Sequence, residues 1–251
     1  TAIGRAALAD NTTASNNTAL GYQASYSGTT ADNTVAVGRQ ALYSATTGGG
    51  NVAVGSTSMY ATTGTDNAAL GTSTLRFNTS GSSNTALGHQ SLYSNTTASN
   101  NTAVGYQAGY ANTTGTEQVA LGGFALNKST TGSENTALGF RALQENTSGA
   151  YNTAVGRGAL LFNTTANYNT AVGYQAGYDN TTGVIDALGA SALANNTTGN
   201  YNTALGGSSL FDNTTGSNNV AVGRNALENN TEGASSTAIG YRAGYSQTTN
   251  G

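Results

Sequence analysis

The sequence predicts an all-β fold, a parallel β-roll or β-solenoid of about fifteen 17-residue coils with two short strands per coil. Three observations carry this prediction. The phrase N-T-A-[L/V/I]-G, in which Ala, a branched aliphatic and Gly never fail, returns with its glycine at 4, 21, 38, 55, 71, 88, 105, 122, 139, 156, 173, 189, 206, 223 and 240. Twelve of the fourteen intervals are seventeen residues and two are sixteen, a short fixed period of the kind that stacks each unit on its neighbours. Proline is absent from all 251 residues, as expected where most backbone N–H groups are needed by the coil above or below.

Counting each coil from its asparagine puts the phrase glycine at position 5. Position 2 is Thr, Val or Ala in every copy but Asp186, and position 4 is always Leu, Val or Ile. These are β-formers whose side chains share one face of a strand, while position 3, always Ala, points to the other. Positions 6 to 10, as in Arg39-Gln40-Ala41-Leu42-Tyr43 and His89-Gln90-Ser91-Leu92-Tyr93, read as a second strand. Helix is the rival there, but five residues between a Gly and an Asn-Thr loop give barely one turn, and helices that short are marginal. The rest, typified by Asn213-Thr214-Thr215-Gly216, is turn chemistry. Both short intervals lose their residue in this loop, one between Tyr60 and Thr62 and one after Gly183, where a solenoid tolerates it.

The repeat runs through residues 1–251 without a compositional break, which predicts one elongated domain. At roughly 4.8 Å per coil it would form a rod of about 70 Å. The chain opens inside the phrase, at Thr1–Gly4, and ends inside a loop, at Thr248–Gly251, as a segment of a longer fibre would. Strict phase argues against the disorder that low complexity otherwise suggests.

Only 8% of residues are charged, the net charge is −3, and Arg5, Arg39, Arg76, Lys128, Arg141, Arg157, Arg224 and Arg242 are scattered, which argues against nucleic acid or an anionic membrane as partner. No apolar run approaches the roughly 20 residues needed to span a bilayer, so membrane insertion is not expected in this segment. Cysteine is absent, and with it any disulfide framework or thiolate metal site.

Each coil offers a thin core, such as Val155, Leu160 and Leu161 beside Ala154 and Ala159. At roughly 25 cal/mol per Å² this struggles against ordering seventeen residues at about 1 kcal/mol or more each. A position 3 that never exceeds a methyl group points to close approach of another surface, and Ala19, Ala36, Ala103, Ala120 and Ala154 are the expected packing interface, most simply about a closed cyclic axis. Stacking of these alanines within one narrow coil is the alternative.

The phrases N-T-V-A-V-G (Asn33–Gly38), N-V-A-V-G (Asn51–Gly55) and S-T-A-I-G (Ser236–Gly240) resemble the head repeats of YadA-like trimeric autotransporter adhesins. Similar N-T-A-L-G-Y-Q-A-L arrays occur in phage tail fibres and other surface fibre proteins. The resemblance covers all fifteen repeats. It implies a left-handed parallel β-roll, three chains about one axis, a role in attachment, and an extracellular location on a cell surface or virion. The period departs from the adhesin heads, whose repeat is usually shorter, and the extra residues sit in the Asn-Thr loop.

No catalytic residue, metal ligand or cofactor is indicated. His89 occupies a variable position, and Asp66, Glu117, Glu134, Asp186 and Glu232 lie mostly in loops without recurring partners, so no carboxylate pair for acid–base work emerges. Tyr22, Tyr26, Tyr106, Tyr110, Tyr174, Tyr178, Tyr241 and Tyr245 recur at positions 6 and 10 and form rows that either stack on sugars or pack on each other. In those coils the usual Leu at position 9 becomes Ser25, Gly109, Gly177 or Gly244. Asn11, Asn95, Asn112, Asn163, Asn180, Asn196 and Asn213 each begin N-T-T, which reads either as turn-forming or as an N-glycosylation acceptor. The expected function is a structural and adhesive segment of an extracellular fibre that self-associates as a homotrimer or filament and contacts a glycan or host surface. Ice binding is an alternative weakened by Val35, Val52, Ala68, Val119, Asp186 and Val220 in the position-2 Thr row, and a polysaccharide-cleaving solenoid would need aligned acids.

Overall fold

The structure, a computed structural model, describes residues 1–248, so the close of the final loop lies outside the described residues. It divides into two compact units, Thr1–Phe124 and Ala125–Gly251. Both are all-β and built alike. In the first, strands run from Ala2–Ile3 and Thr18–Leu20 to Val119–Leu121, and in the second from Thr136–Leu138 to Thr237–Ile239. Within each unit every strand pairs in parallel with the next coil's strand.

The pairing puts like on like, with Thr85 opposite Thr102, Ala86 opposite Ala103 and Leu87 opposite Val104. The short intervals leave this register intact: Val52, Ala53 and Val54 still face Ala68, Ala69 and Leu70, and Thr170 faces Asp186. The missing residue of the first interval falls two positions later than the spelling suggests. Asn78 Nδ2 donates to Thr62 Oγ1 at 3.1 Å and Thr63 Oγ1 donates to the Thr79 carbonyl at 2.9 Å. Thr62 and Thr63 therefore occupy the usual Asn and Thr positions, and the gap follows them.

The expected second strand does not form. Positions 6 to 12 make two consecutive tight turns, closed in one coil by Ser91 N–H to the Gly88 carbonyl at 3.3 Å and Asn95 N–H to the Leu92 carbonyl at 3.2 Å. Gln90 and Leu92 lie in the left-handed region, at φ 56° and 48°. A strand propensity is overridden here because a 17-residue coil must reverse fully to return to its starting edge. The N–H groups nevertheless alternate between neighbours as they would in a strand: Gln90 donates down to Thr72 at 3.1 Å and Leu92 up to Ala108 at 3.0 Å. This dense use of N–H groups accounts for the missing proline.

A leucine with positive φ costs about 1 kcal/mol. Burying its side chain returns roughly 1.5–3 kcal/mol, so burial wins. Leu42, Leu75, Leu92, Leu126, Leu143, Leu160, Leu193, Leu210 and Leu227 are all at most 2% exposed and supply the large side chain of their coils. Where glycine replaces leucine, the preceding leucine leans into the space: a Cβ on Gly109 would lie 2.9 Å from Leu92 Cδ2, and one on Gly244 2.7 Å from Leu227 Cδ2.

Of the two readings of the Ala row, stacking within one narrow coil is the one that holds, and the aliphatic at position 4, expected in the interior, faces outward. Ala36, Ala103 and Ala154 are 0% exposed, with Ala19 at 1% and Ala120 at 2%, whereas Leu20 is 45%, Leu70 48% and Leu205 47% exposed. The alternation was legible, but the methyl group faces the coil interior and the larger aliphatic faces out. The physical reason is width. The strand's inner face must approach turns that carry a leucine and buried asparagine amides, and only a methyl group fits there. The Ala row is therefore filled from within a single chain and is not a surface for another.

Candidate functional surfaces

Many coils carry two asparagines, at positions 1 and 12, that point inward and stack on their counterparts, although Gly28, Ala45, Thr62 and Ser129 stand at position 12 elsewhere. At position 1, Asn67 Oδ1 accepts from both the backbone N–H and Nδ2 of Asn84, each at 3.0 Å, while Asn84 Nδ2 also donates to the Ala98 carbonyl at 2.9 Å. At position 12, Asn95 Nδ2 donates to Asn78 Oδ1 at 2.9 Å and to the Ala98 carbonyl at 3.0 Å. The same ladder continues through Asn112, and in the second unit through Asn163, Asn180, Asn196 and Asn213. These buried amides satisfy the loop carbonyls that no backbone N–H reaches.

That geometry corrects the glycosylation expectation. Asn95, Asn112, Asn163, Asn180, Asn196 and Asn213 are 0–1% exposed. A glycan would have to replace an Nδ2 hydrogen that is already donated inside the roll. Asn11 differs in being exposed, with its Nδ2 3.2 Å from the Ala14 carbonyl. The turn-forming alternative describes the other six.

A third ladder escaped the sequence reasoning. Position 13 is Thr in every coil, and its hydroxyl donates to the carbonyl of the next, as from Thr79 to Thr96 and Thr96 to Thr113 at 2.9 Å. The signal was present, since this residue recurs more strictly than position 2. It was absorbed into the general description of a loop.

The aromatic rows divide by environment. At position 10, Tyr26, Tyr43 and Tyr60 stack with ring centroids 5.2 and 4.9 Å apart, and Tyr93 stacks on Tyr110 at 5.0 Å. Tyr178 meets Phe162 edge-on at 5.3 Å, and the Arg242 guanidinium lies 4.1 Å over Tyr245. Burial in this row and the neighbouring phenols push the Tyr43 hydroxyl pKa up. At position 6 the rings are more open, with Tyr22 42%, Tyr106 50%, Tyr174 47% and Tyr241 70% exposed. Unanticipated tyrosines occupy position 17: Tyr151 stacks on Tyr168 at 5.0 Å, and Tyr201 is well exposed. Position 10 is thus a packing row, and position 6 is the more exposed of the two.

The outward face of the sheet carries exposed aliphatic side chains. In the first unit Val52, Val54, Leu70, Leu87 and Val104 line a shallow groove with almost no polar surface. In the second, Val172, Leu188 and Leu205 are 38%, 40% and 47% exposed on the same positions. Soluble chains rarely leave such a contiguous strip uncovered.

His89 is exposed and stacked 5.5 Å from Tyr106. Asp66, Glu117 and Glu134 sit in left-handed loop positions, at φ 57–58°, and Asp186 lies on the outward strand face. Partial burial raises the pKa of Asp179 above the usual carboxylate value. Among the described residues no three His, Asp or Glu side chains converge as metal ligands would, and no helix is long and apolar enough to cross a membrane. No protein-family model, no curated protein and no solved structure matches this chain.

Proposed function

We propose that this chain is a structural and adhesive segment of an extracellular fibre, such as a surface filament, an adhesin head or a phage tail fibre. It works as an assembly of several copies, most simply three about one axis, packed through the outward sheet face. The observation that carries this reading is the aliphatic row at position 4, where Leu70 and Leu87 are 48% and 40% exposed, flanked on the same face by Thr or Val at most position-2 sites. Strands in register repeat the same strip coil after coil, so a second copy presents a matching surface of the same pitch, and a closed ring buries all of it. The resemblance of the repeated phrase to trimeric adhesin heads supports the same arrangement. A role spread along an array also suits a chain whose ionisable groups do not converge.

Light scattering on the purified chain tests this. The expected mass is a multiple of 25.0 kDa, three-fold for the simplest ring. The double variant Leu70→Asp/Leu87→Asp, which places charges on the strip but none in the coil interior, is expected to run as a monomer with its β-sheet circular dichroism retained. A wild-type mass of 25.0 kDa at micromolar concentration, or a double variant that keeps the wild-type mass, contradicts the reading.

A further inference from the structure

One place in the second unit breaks the row rules without a structural reason. Position 7 carries a side chain in fourteen coils, among them Gln23, Gln40, Arg141 and Gln175, and is glycine only at Gly158. The backbone does not demand this glycine. Its φ of 66° is close to the 60° of Arg141 and the 53° of Gln175 in the coils on either side. Nor does space demand it, because a Cβ there would first meet the Tyr178 ring at 3.4 Å, an ordinary contact. The missing side chain instead opens a notch, floored by Leu161 and Tyr178 and walled by Phe140, Arg157, Tyr174 and Gln175.

The notch is cationic and aromatic together. The Arg157 guanidinium lies between two rings, 6.0 Å from the centre of Phe140 and 5.9 Å from that of Tyr174. The Arg141 guanidinium lies 5.2 Å from Phe140 on the same rim. Among the described residues the ion pair formed is Lys128 with Glu145, so neither arginine has a carboxylate partner. Phe140 and Tyr174 remain 41% and 47% exposed. Two guanidinium forks held by aromatic stacking are set to take a carboxylate in bidentate fashion, because stacking has already restricted their rotamers. Exposed ring faces accept the C–H face of a pyranose, and the Gln175 amide offers both a donor and an acceptor for its hydroxyls.

We infer that the notch over Gly158 is a binding subsite for an acidic sugar residue, a pyranose bearing a carboxylate, gripped by Arg141 and Arg157 and stacked on the position-6 rings. This deepens the reading of the array as an attachment surface by naming a ligand class and a place. The two fail separately, since particle mass reports assembly and ligand titration reports this notch alone.

The test is calorimetric titration of the full chain at low ionic strength, where charge pairing is least screened. The probes are a uronic-acid hexasaccharide, the matching neutral hexasaccharide and a sulfated one of equal length. The acidic sugar is expected to bind at least about ten-fold more tightly than the neutral one, and the sulfated sugar shows whether the guanidiniums recognise oxyanions generally. Gly158→Gln, which restores the side chain common at this position, and Arg157→Gln are each expected to weaken it about ten-fold without moving the thermal melt. Absence of uronate binding, equal binding of the three sugars, or a Gly158→Gln chain that binds as wild type overturns the assignment.

Discussion

Replacing Asn95 with Ala is expected to destabilise the first unit by roughly 3–5 kcal/mol, among the largest effects any single polar side chain here would show. The side chain exposes essentially no surface and holds three partners. Its Nδ2 serves Asn78 Oδ1 at 2.9 Å and the Ala98 carbonyl at 3.0 Å, and its Oδ1 receives Asn112 Nδ2 at 2.9 Å. Alanine leaves Asn78 Oδ1 buried without its donor, at about 1–3 kcal/mol, and removes one of two bonds from the Ala98 carbonyl, which keeps Asn84 Nδ2, and from Asn112 Nδ2, which keeps the Gly115 carbonyl, at about 1 kcal/mol each. Urea unfolding measures the loss, and Thr97→Ala, an exposed loop residue two positions on, serves as the control and should move stability by less than about 0.5 kcal/mol. Equal midpoints for the two variants would mean that the asparagine ladder carries no stability.

The second large effect belongs to the phrase glycine. Gly105 sits at φ 137°, and a Cβ built on it lies 2.7 Å from both the carbonyl carbon and oxygen of Gly122 in the next coil. Only a shift of one coil against the next relieves that contact, and every row in the stack depends on the spacing. Gly105→Ala is expected to cost about 4 kcal/mol or more, combining backbone strain of about 1–3 kcal/mol with the broken pairing. At roughly 2–4 °C per kcal/mol, the melting temperature should fall by about 10 °C. Gly158→Ala supplies the contrast, since its neighbours in the row already carry side chains at the same φ, and it should melt as wild type. Similar melts for the two glycine variants would show that coil spacing is not fixed by the position-5 glycine.

Periodicity made much of this legible. The interval between glycines gave the coil length, the invariant Ala between two β-formers gave the strand and its alternation, and the loop location of both short intervals survived inspection. Two things were not legible, for identifiable reasons. Hydrophobicity placed the position-4 aliphatic, as at Val155, in the interior and left the position-3 Ala between an outer interface and stacking within the coil, when the narrowness of the coil puts the Ala inside and the aliphatic out. Propensity assigned a strand to residues such as Gln90 and Leu92, when tertiary stacking holds both at positive φ. The asparagines were read as loop residues or glycan acceptors because Asn is common in turns. Their recurrence in fixed phase at positions 1 and 12 was the clue that they form ladders. Of the candidate contact surface, the exposed Tyr row at position 6 was anticipated, whereas the notch at Gly158 needed the backbone angles to show that this glycine has no conformational task.

Thiol labelling of the single-cysteine variants Ala86→Cys and Leu87→Cys over a dilution series tests the central claim most directly, because the chain has no other cysteine to react. These neighbours point to opposite faces, one 2% and the other 40% exposed in the single chain. The account predicts that A86C stays unreactive at every concentration, being enclosed by its own coil, while L87C is protected in the assembly and labels freely once diluted to monomer. An A86C chain that labels as fast as L87C, or whose protection disappears on dilution, would contradict it.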